Sequence, residues 1–239
     1  MRRILASMAL LIVSLTTVHA QETTEKVNAN AVPSALSRPS RDFVMIDFLY
    51  NTWITKPDSV KIKSFGYAFN GYLCYDFPIK KTHLSFAAGL GVNVNVIYLN
   101  NQVMRFTDTG TLGSTVRFIA DTNNYKRNKF TTTYLQAPFE LRYFGNSANR
   151  NKGFKAALGV EVGVLLGAHT KSVTSVNGNS VKYKTDTKRY LAPWNFAATA
   201  RIGWGNFSLF GSYNITNVFK DKAGPTITPL ALGLCLTGL

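Results

Sequence analysis

Strict alternation of apolar and polar residues is the feature that most constrains the fold of this chain. We call every second residue of a strand one parity, because such residues point to the same face. Within residues 83–98, HLSFAAGLGVNVNVIY, the even-numbered parity is apolar: Leu84, Phe86, Ala88, Leu90, Val92, Val94, Val96 and Tyr98. The other parity is mostly small or polar: His83, Ser85, Ala87, Gly89, Gly91, Asn93, Asn95 and Ile97. A period of two predicts a β-strand whose two faces lie in different environments. The run is longer than an ordinary globular strand of about five or six residues.

The same pattern recurs from residue 42 to the end of the chain. Seven further segments alternate in this way: 42–53, 64–77, 129–144, 153–169, 190–204, 206–218 and 226–238. Short connections alternate with long ones, and the long ones are 54–63, 99–128, 170–189 and 219–225. Outer-membrane barrels have short periplasmic turns and longer outer loops. We therefore predict an all-β fold, an eight-stranded antiparallel up-and-down transmembrane β-barrel.

The composition of the two parities favours a membrane barrel over a soluble one. A soluble barrel of the lipocalin type also alternates, with its apolar side chains inside. A water-facing surface carries roughly a quarter to a third charged residues, whereas the polar parity of 83–98 carries none. Aromatic residues typical of interfacial girdles bracket the apolar parity: Tyr67, Tyr75, Phe77, Tyr98, Tyr143 and Trp204. The prediction is lipid outside and a narrow, packed lumen inside.

The first residues predict the compartment. Residues 1–20, MRRILASMALLIVSLTTVHA, combine a basic start, an apolar run and a small-x-small ending, which is the pattern of a cleavable secretory signal. An uncleaved helical anchor is the alternative. Residues 21–40 are polar and aperiodic, so we predict a flexible lead-in. The predicted organisation is a signal peptide at 1–20, the lead-in at 21–40 and an outer-membrane barrel at 41–239.

The formal net charge of +15 bears on the partners. Secretion argues against nucleic acid, and anionic lipid headgroups or an acidic protein remain. The predicted outer loops are basic: Lys56, Lys61, Lys63, Arg105, Arg117, Lys126, Arg127, Lys171, Lys182, Lys184, Lys188 and Arg189. Lipopolysaccharide phosphates are natural counter-ions for such a rim. The loops are alternatively basic only because the whole chain is, or they dock other envelope or secretion proteins.

Charged residues on the inward parity form the main candidate site. Five of them meet there: Asp47, Glu140, Arg142, Glu161 and Arg201. Buried charges require partners, and an eight-stranded lumen is just wide enough for its side chains to fill. The sequence therefore predicts a structural plug, with hydrogen bonds to Asn70, Asn93 and Gln136. A gated conduit or proton path is the alternative.

Signals for enzymatic chemistry are weak. His169, Ser172 and Asp186 fall at the end of the fifth predicted strand and in its loop, where a nucleophile, a base and an acid would be needed. The sequence contains no metal-ligand spacing, phosphate loop or Cys-x-x-Cys. We therefore expect no catalytic, metal or cofactor site.

The two cysteines are predicted to be separate core residues. Cys74 and Cys235 fall on the inward parity of the second and eighth predicted strands. Two inter-strand steps place them roughly 9 to 10 Å apart, which exceeds the reach of a disulfide. A bond across the lumen is the alternative.

One stretch carries a family resemblance. Residues 132–145, TTYLQAPFELRYFG, resemble the Tyr-Leu-Glu-x-Pro-x-x-Leu-Lys/Arg-Tyr signature of the small outer-membrane β-barrel proteins of Bacteroidota, the PorT-like group. The matching residues are Tyr134, Leu135, Pro138, Leu141, Arg142 and Tyr143, and Gln136 stands where the group commonly has Glu. With weaker echoes elsewhere, the resemblance covers about residues 42–239. It implies an outer-membrane barrel, and one member class implies a role in type IX secretion and gliding.

Pro138 needs its own interpretation because proline cannot donate to a strand ladder. We interpret it as a local bulge, with an ordinary irregularity as the alternative. For the whole protein we expect a non-enzymatic outer-membrane barrel with a structural or assembly role. A porin-like channel for small solutes is the alternative, followed by a lipid-modifying enzyme at the rim.

Overall fold

The computed structural model describes residues 42–80, 82–108, 114–123, 125–146, 152–176 and 179–238. The predicted signal peptide and lead-in lie outside these residues. The strands of the described part are β1 (Asp42–Thr55), β2 (Tyr67–Pro78), β3 (Leu84–Leu99), β4 (Gln102–Asp108), β5 (Ser114–Ala120), β6 (Arg127–Phe144), β7 (Phe154–Val176), β8 (Asn179–Asp186), β9 (Trp194–Trp204), β10 (Phe207–Asn214) and β11 (Thr228–Thr237). No helix in the described ranges is long and apolar enough to cross a membrane.

Eight of these strands close into an antiparallel barrel. The order around it is β6–β3–β2–β1–β11–β10–β9–β7, and β7 pairs with β6 to complete the circle. The eight strands correspond to the eight segments predicted from alternation, so the predicted barrel is confirmed. Closure matters because each barrel strand then has a hydrogen-bonded neighbour on both sides, which satisfies its backbone without water.

The two parities of the barrel strands have opposite exposure. On β2, Phe69 and Leu73 are exposed, with Leu73 at 71%, whereas Asn70, Tyr72 and Cys74 are buried. A soluble lipocalin-type barrel would bury its large apolar side chains instead. The wall of this barrel is therefore apolar outside and largely polar inside, as a lipid-facing wall requires.

Aromatic rings line the outside near both ends of the barrel. At the end with short connections, Tyr75 contacts Phe77 with 4.8 Å between ring centroids, and Phe77 contacts Phe86 at 6.4 Å. At the other end, Tyr67 contacts Tyr98 at 6.4 Å. Following the asymmetry of bacterial barrels, we assign the end with short connections as the inner end and the other as the outer end.

Two of the predicted outer loops contain strands, which corrects the sequence prediction. The connection 99–128 holds the hairpin β4–β5, which forms a sheet of its own. In the connection 170–189, β7 continues to Val176 and β8 returns along it, from the pair Val176–Asn179 to the pair His169–Asp186. In β4 and β5 the alternation covers only a few residues, with Met104 and Val116 buried and Arg105 and Arg117 exposed on the other face. β8 has no buried residue, so no period-two pattern is required there.

The outer end of the lumen is filled by apolar side chains, which we call the apolar cluster. Its buried members are Trp53, Val60, Ile97, Leu99, Met104, Val116, Phe130, Tyr134, Leu165, Ala168, Tyr190, Leu191, Val218, Phe219 and Ile227. Ile97 lies on the parity that the sequence marks as polar. The lumen is thus polar in its inner and middle parts only, because apolar side chains of the outer connections pack over its mouth.

The structure also corrects the interpretation of Pro138. The β3–β6 register passes from Ala88–Phe139 to Gly91–Gln136 without a shift, and Pro138 faces Glu161 of β7. The register shift in the β6–β7 pair lies instead at Thr133/Tyr134. Pro138 is therefore accommodated without a bulge.

The assignment of the two ends predicts the accessibility of introduced cysteines. Lys126, between β5 and β6, is exposed at the outer end, and Lys152, before β7, is exposed at the inner end. A membrane-impermeant maleimide on intact cells should label Lys126→Cys and leave Lys152→Cys unlabelled until the envelope is permeabilised. Background labelling of the native cysteines should be low because Cys74 and Cys235 are buried. The opposite labelling pattern would invert the topology.

Candidate functional site

A glutamate held between two arginines occupies the inner part of the lumen. Arg142 Nε donates to Glu140 Oε2 at 2.8 Å, and Arg201 Nη2 donates to Glu140 Oε1 at 2.5 Å. All three side chains are buried. Glu140 and Arg142 share the inward parity of β6, and Arg201 lies two strands away on β9. We call these three residues, with Asp76, the charge cluster.

Small residues on the intervening strand β7 make this contact possible. Ala157 pairs with Arg142 on one side and with Arg201 on the other, and Gly159 pairs with Glu140. Because these positions carry a methyl group or no side chain, the long side chain of Arg201 crosses β7 and reaches the carboxylate, whereas Arg142 contacts it along β6. The small inward residues of residues 153–169 thus leave room for the charges of the neighbouring strands.

Three residues around Arg142 and Arg201 were not predicted as part of this site: Asp76, Ser85 and Met45. Arg142 Nη1 lies 3.7 Å from Asp76 Oδ1, and Ser85 Oγ donates to the same oxygen at 3.0 Å. Arg142 Nη2 lies 2.9 Å from Met45 Sδ, which Arg201 Nη1 approaches to 3.4 Å. The parity of β2 that contains Cys74 also contains Asp76, so extending the alternation by one step would have found it. Nothing in the sequence pattern indicates a methionine sulfur as an arginine partner.

A layer of amides fills the middle of the lumen. Asn70 Nδ2 donates to Asp47 Oδ2 at 2.9 Å, and Asn93 Nδ2 donates to Asn70 Oδ1 at 2.5 Å. Asn95 donates to Asn93, and Asn51 Nδ2 donates to Asn95 Oδ1 at 3.2 Å. The first two of these hydrogen bonds follow from the strand register, because Asp47 of β1 pairs with Asn70 of β2, and Asn70 pairs with Asn93 of β3. We call this network the amide layer.

Glu161 belongs to the amide layer rather than to the charge cluster. The Tyr72 hydroxyl lies 2.7 Å from Gln136 Oε1 and 3.3 Å from Glu161 Oε1, and Gln136 Nε2 donates to Asn195 Oδ1 at 3.2 Å. Among the described residues, neither Asp47 nor Glu161 forms an ion pair within 4.0 Å. Of the five predicted charges, the structure joins Glu140, Arg142 and Arg201 and places the other two in hydrogen bonds with neutral groups.

The free space in this part of the lumen is small. Two cavities of ≈ 20 Å³ each lie beside the amide layer, and Asn51 and Asn95 line both. Such a volume holds about one water molecule. From the inner to the outer end, the described side chains therefore form a charge cluster, an amide layer and an apolar cluster.

The cysteines and the family motif occupy structural positions. Cys74 and Cys235 are free and buried, and Cys74 Sγ lies 3.5 Å from Met45 Sδ. In the motif, Leu135, Leu141 and Tyr143 are exposed on the barrel wall, whereas Tyr134, Pro138 and Arg142 are buried in the lumen. The motif residues thus split between the two faces of one strand.

The residues considered for rim catalysis do not form a triad. His169 pairs directly with Asp186 across β7 and β8, and Ser172 pairs with Tyr183. Ser172 follows His169 by an odd number of residues along β7, so the two side chains point to opposite faces of the strand. Within the described part of the chain, no group of three or more His, Cys, Asp and Glu side chains is placed to hold a metal ion.

The family is shown by the sequence. Residues 38–220 match the model described as "Outer membrane protein beta-barrel domain". The chain belongs to this family. The match spans the barrel strands from β1 to β10, and β11 completes the barrel beyond it. The predicted location in the outer membrane is thereby confirmed.

A solved structure is also similar to this chain at low sequence identity. It is the crystal structure of Ail, the attachment invasion locus protein of Yersinia pestis, in complex with the heparin analogue sucrose octasulfate. The two chains are 12% identical with a TM-score of 0.36, and the similarity covers 82% of this chain and 97% of that chain. A comparison with curated protein sequences finds no match.

Substitutions in the charge cluster should lower the stability of the folded barrel by unequal amounts. Glu140→Gln leaves Arg142 and Arg201 without their shared carboxylate and should destabilise the folded barrel by about 3 to 5 kcal/mol. Arg201→Met should cost less because Arg142 still pairs with Glu140. The double variant should cost less than the sum, since both changes remove one interaction. Urea unfolding of the purified barrel measures all three.

The matched control for these variants is Arg105→Met. Arg105 is exposed on β4, and a surface change of this kind should stay within about 0.5 kcal/mol. Near-neutral and additive effects of Glu140→Gln and Arg201→Met would show that the charges do not stabilise one another.

Proposed function

We propose that this protein is a non-conducting, non-enzymatic outer-membrane barrel with a structural or assembly role. The observation that carries the proposal is the filling of the lumen at three successive levels, by the charge cluster, the amide layer and the apolar cluster. The function then resides on the described parts of the outer connections, which are available to other envelope components.

The lumen supports a sealed barrel better than a channel. Eight strands enclose a space that side chains can fill, and here paired charges and hydrogen-bonded amides fill it. An ion that crossed would also have to shed its water at the apolar cluster, where Ile97, Phe130 and Leu165 offer no polar replacement. A conduit or proton path would need a continuous polar route through this level.

The outer connections support a docking role because they are fixed to one another. Val116 N of the hairpin β4–β5 donates to Ala223 O at 2.7 Å. The Phe118 ring contacts Trp53 at 6.1 Å and Phe219 at 6.3 Å between centroids. A surface that is already ordered loses little conformational entropy when a partner binds. The hairpin is thus suited to present a defined surface.

The resemblance to the PorT-like group supports a more specific role. It rests on the residues of the motif at 132–145 and implies a secretion or envelope complex, with type IX secretion as the specific case. The position of His169 and Ser172 on opposite faces of β7 argues against the alternative of a lipid-modifying enzyme that uses these residues.

Conductance measurements test the sealed lumen. The purified barrel in planar bilayers should show no sustained current, and Arg142→Ala/Arg201→Ala should also stay silent because the apolar cluster remains. A porin in the same bilayer serves as the positive control. Steady ion-selective currents from the wild type would overturn the proposal, and opening of the double variant would show that the charge cluster alone is the seal.

Site-specific crosslinking in intact envelopes tests the docking role. A photo-crosslinking residue in place of Ile119, which is 41% exposed on β5, should give a dominant adduct with one envelope protein. The same residue in place of Lys152 at the inner end is the control. Phe118→Ala should weaken the Ile119 adduct while the barrel stays folded, because it removes the ring that holds the hairpin. Adducts of equal yield with many proteins, or none, would contradict an assembly role.

A further inference from the structure

Lysines lie directly opposite one another across three strands at the outer end. Lys129 of β6 pairs with Lys171 of β7, and Lys171 pairs with Lys184 of β8. In the next row outward, Arg127 pairs with Val173, and Val173 with Lys182. Directly paired residues share a face, with Cβ atoms about 4.5 to 5.5 Å apart. We call the surface formed by Arg127, Lys129, Lys171, Lys182 and Lys184 the basic face.

The basic face points away from the lumen. Lys129 lies on the same parity of β6 as Leu135 and Leu141, which are exposed on the barrel wall. The opposite parity, which includes Asn128 and Phe130, is buried. The register shift in the β6–β7 pair adds its extra residue to β7, so the parity of β6 is continuous from the wall to the basic face.

The basic face begins at the level of the outer aromatic rings. Tyr98 of β3 pairs directly with Lys129, and the Tyr98 ring contacts the ring of Tyr67. Aromatic girdles mark the boundary between the hydrocarbon and the headgroups. The long apolar stems of the lysines can lie along the wall while their ammonium groups reach the headgroup layer.

The positive charge of this face is poorly compensated within the protein. Lys184 Nζ pairs with Asp186 Oδ1 at 2.9 Å. The other four cations form no such pair with any described residue. The charged groups that act on Lys129 are themselves cationic, Lys171 and Arg127. Like charges directly opposite each other destabilise a sheet, so an anionic ligand would offset a repulsion built into the fold.

We propose that the basic face is a binding site for the phosphate groups of the anionic glycolipid in the outer leaflet. Neighbouring ammonium groups from adjacent strands can bracket one phosphate and donate several charge-assisted hydrogen bonds to it. The basic face points away from the lumen and lies at the level of the outer aromatic rings. We therefore assign the phosphate to a lipid headgroup rather than to a soluble anion. This site is independent of a sealed lumen and of a docked protein partner.

The test uses the full barrel reconstituted in phosphatidylcholine vesicles that contain bisphosphorylated lipid A, with dephosphorylated lipid A as the second arm. Fluorescently labelled lipid A should be enriched around the wild type in the first arm only. The variant K129Q/K171Q/K184Q should reduce that enrichment about tenfold or more, because each cation near a membrane surface contributes roughly a factor of five.

The matched control is K61Q/K63Q/K126Q, which removes the same charge from exposed positions outside the basic face. It should retain most of the enrichment. Equal losses in both triple variants, or equal enrichment of phosphorylated and dephosphorylated lipid A, would overturn the proposal. Release of the lipid by millimolar inorganic phosphate would instead identify a site for a soluble anion and also overturn it.

A single variant covers the case in which the triple variant fails to fold. In vesicles without anionic lipid, Lys171→Gln should be at least as heat-resistant as the wild type, because Lys171 is flanked by like charges on both sides. With bisphosphorylated lipid A, the wild type should gain more heat resistance than Lys171→Gln. A lower resistance of Lys171→Gln in both membranes would show that the lysine stabilises the fold itself and would reject the site.

Discussion

The absence of water in the hydrocarbon of a bilayer is the constraint on which the rest of this structure depends. Every backbone N–H and C=O there needs a protein partner, which a sheet supplies only when it closes on itself. Closure through the pairs β6–β7 and β1–β11 with eight strands makes the lumen narrow. The inward residues must then pack against one another, and the small residues of β7 let Arg201 of β9 reach Glu140 of β6 across it.

The same constraint explains which parts of the fold the sequence predicts. Where strands cross lipid, one face must be apolar, and the period-two pattern identifies all eight barrel strands. Beyond the membrane, β4 and β5 alternate over only a few residues and β8 has no buried residue, so the sequence pattern predicts loops there. The apolar cluster escaped prediction for a related reason: Ile97 and Phe130 pack against connections that are distant in sequence, so no local pattern reports their burial.

The sequence predicts which charged residues lie in the candidate site better than it predicts which of them contact one another. Parity places Asp47, Glu140, Arg142, Glu161 and Arg201 inside the barrel, and all five are buried. Parity does not specify which of them meet, because that depends on barrel register and on the size of the residues between them. Asp47 faces Asn70 across one ladder, whereas Glu140 faces a glycine that opens a path to Arg201.

The charges of the lumen and the charges of the outward basic face differ in how they are paired. Inside, Glu140 binds two arginines, and the amides of the amide layer bind one another and Asp47. Outside, Lys129, Lys171 and Lys184 oppose one another at the level of the outer aromatic rings, and Asp186 is the carboxylate that pairs with one of them, Lys184. Folding by itself gives no reason to align these cations. We therefore propose the anion site on this face, and we expect recognition by this barrel there rather than in its lumen.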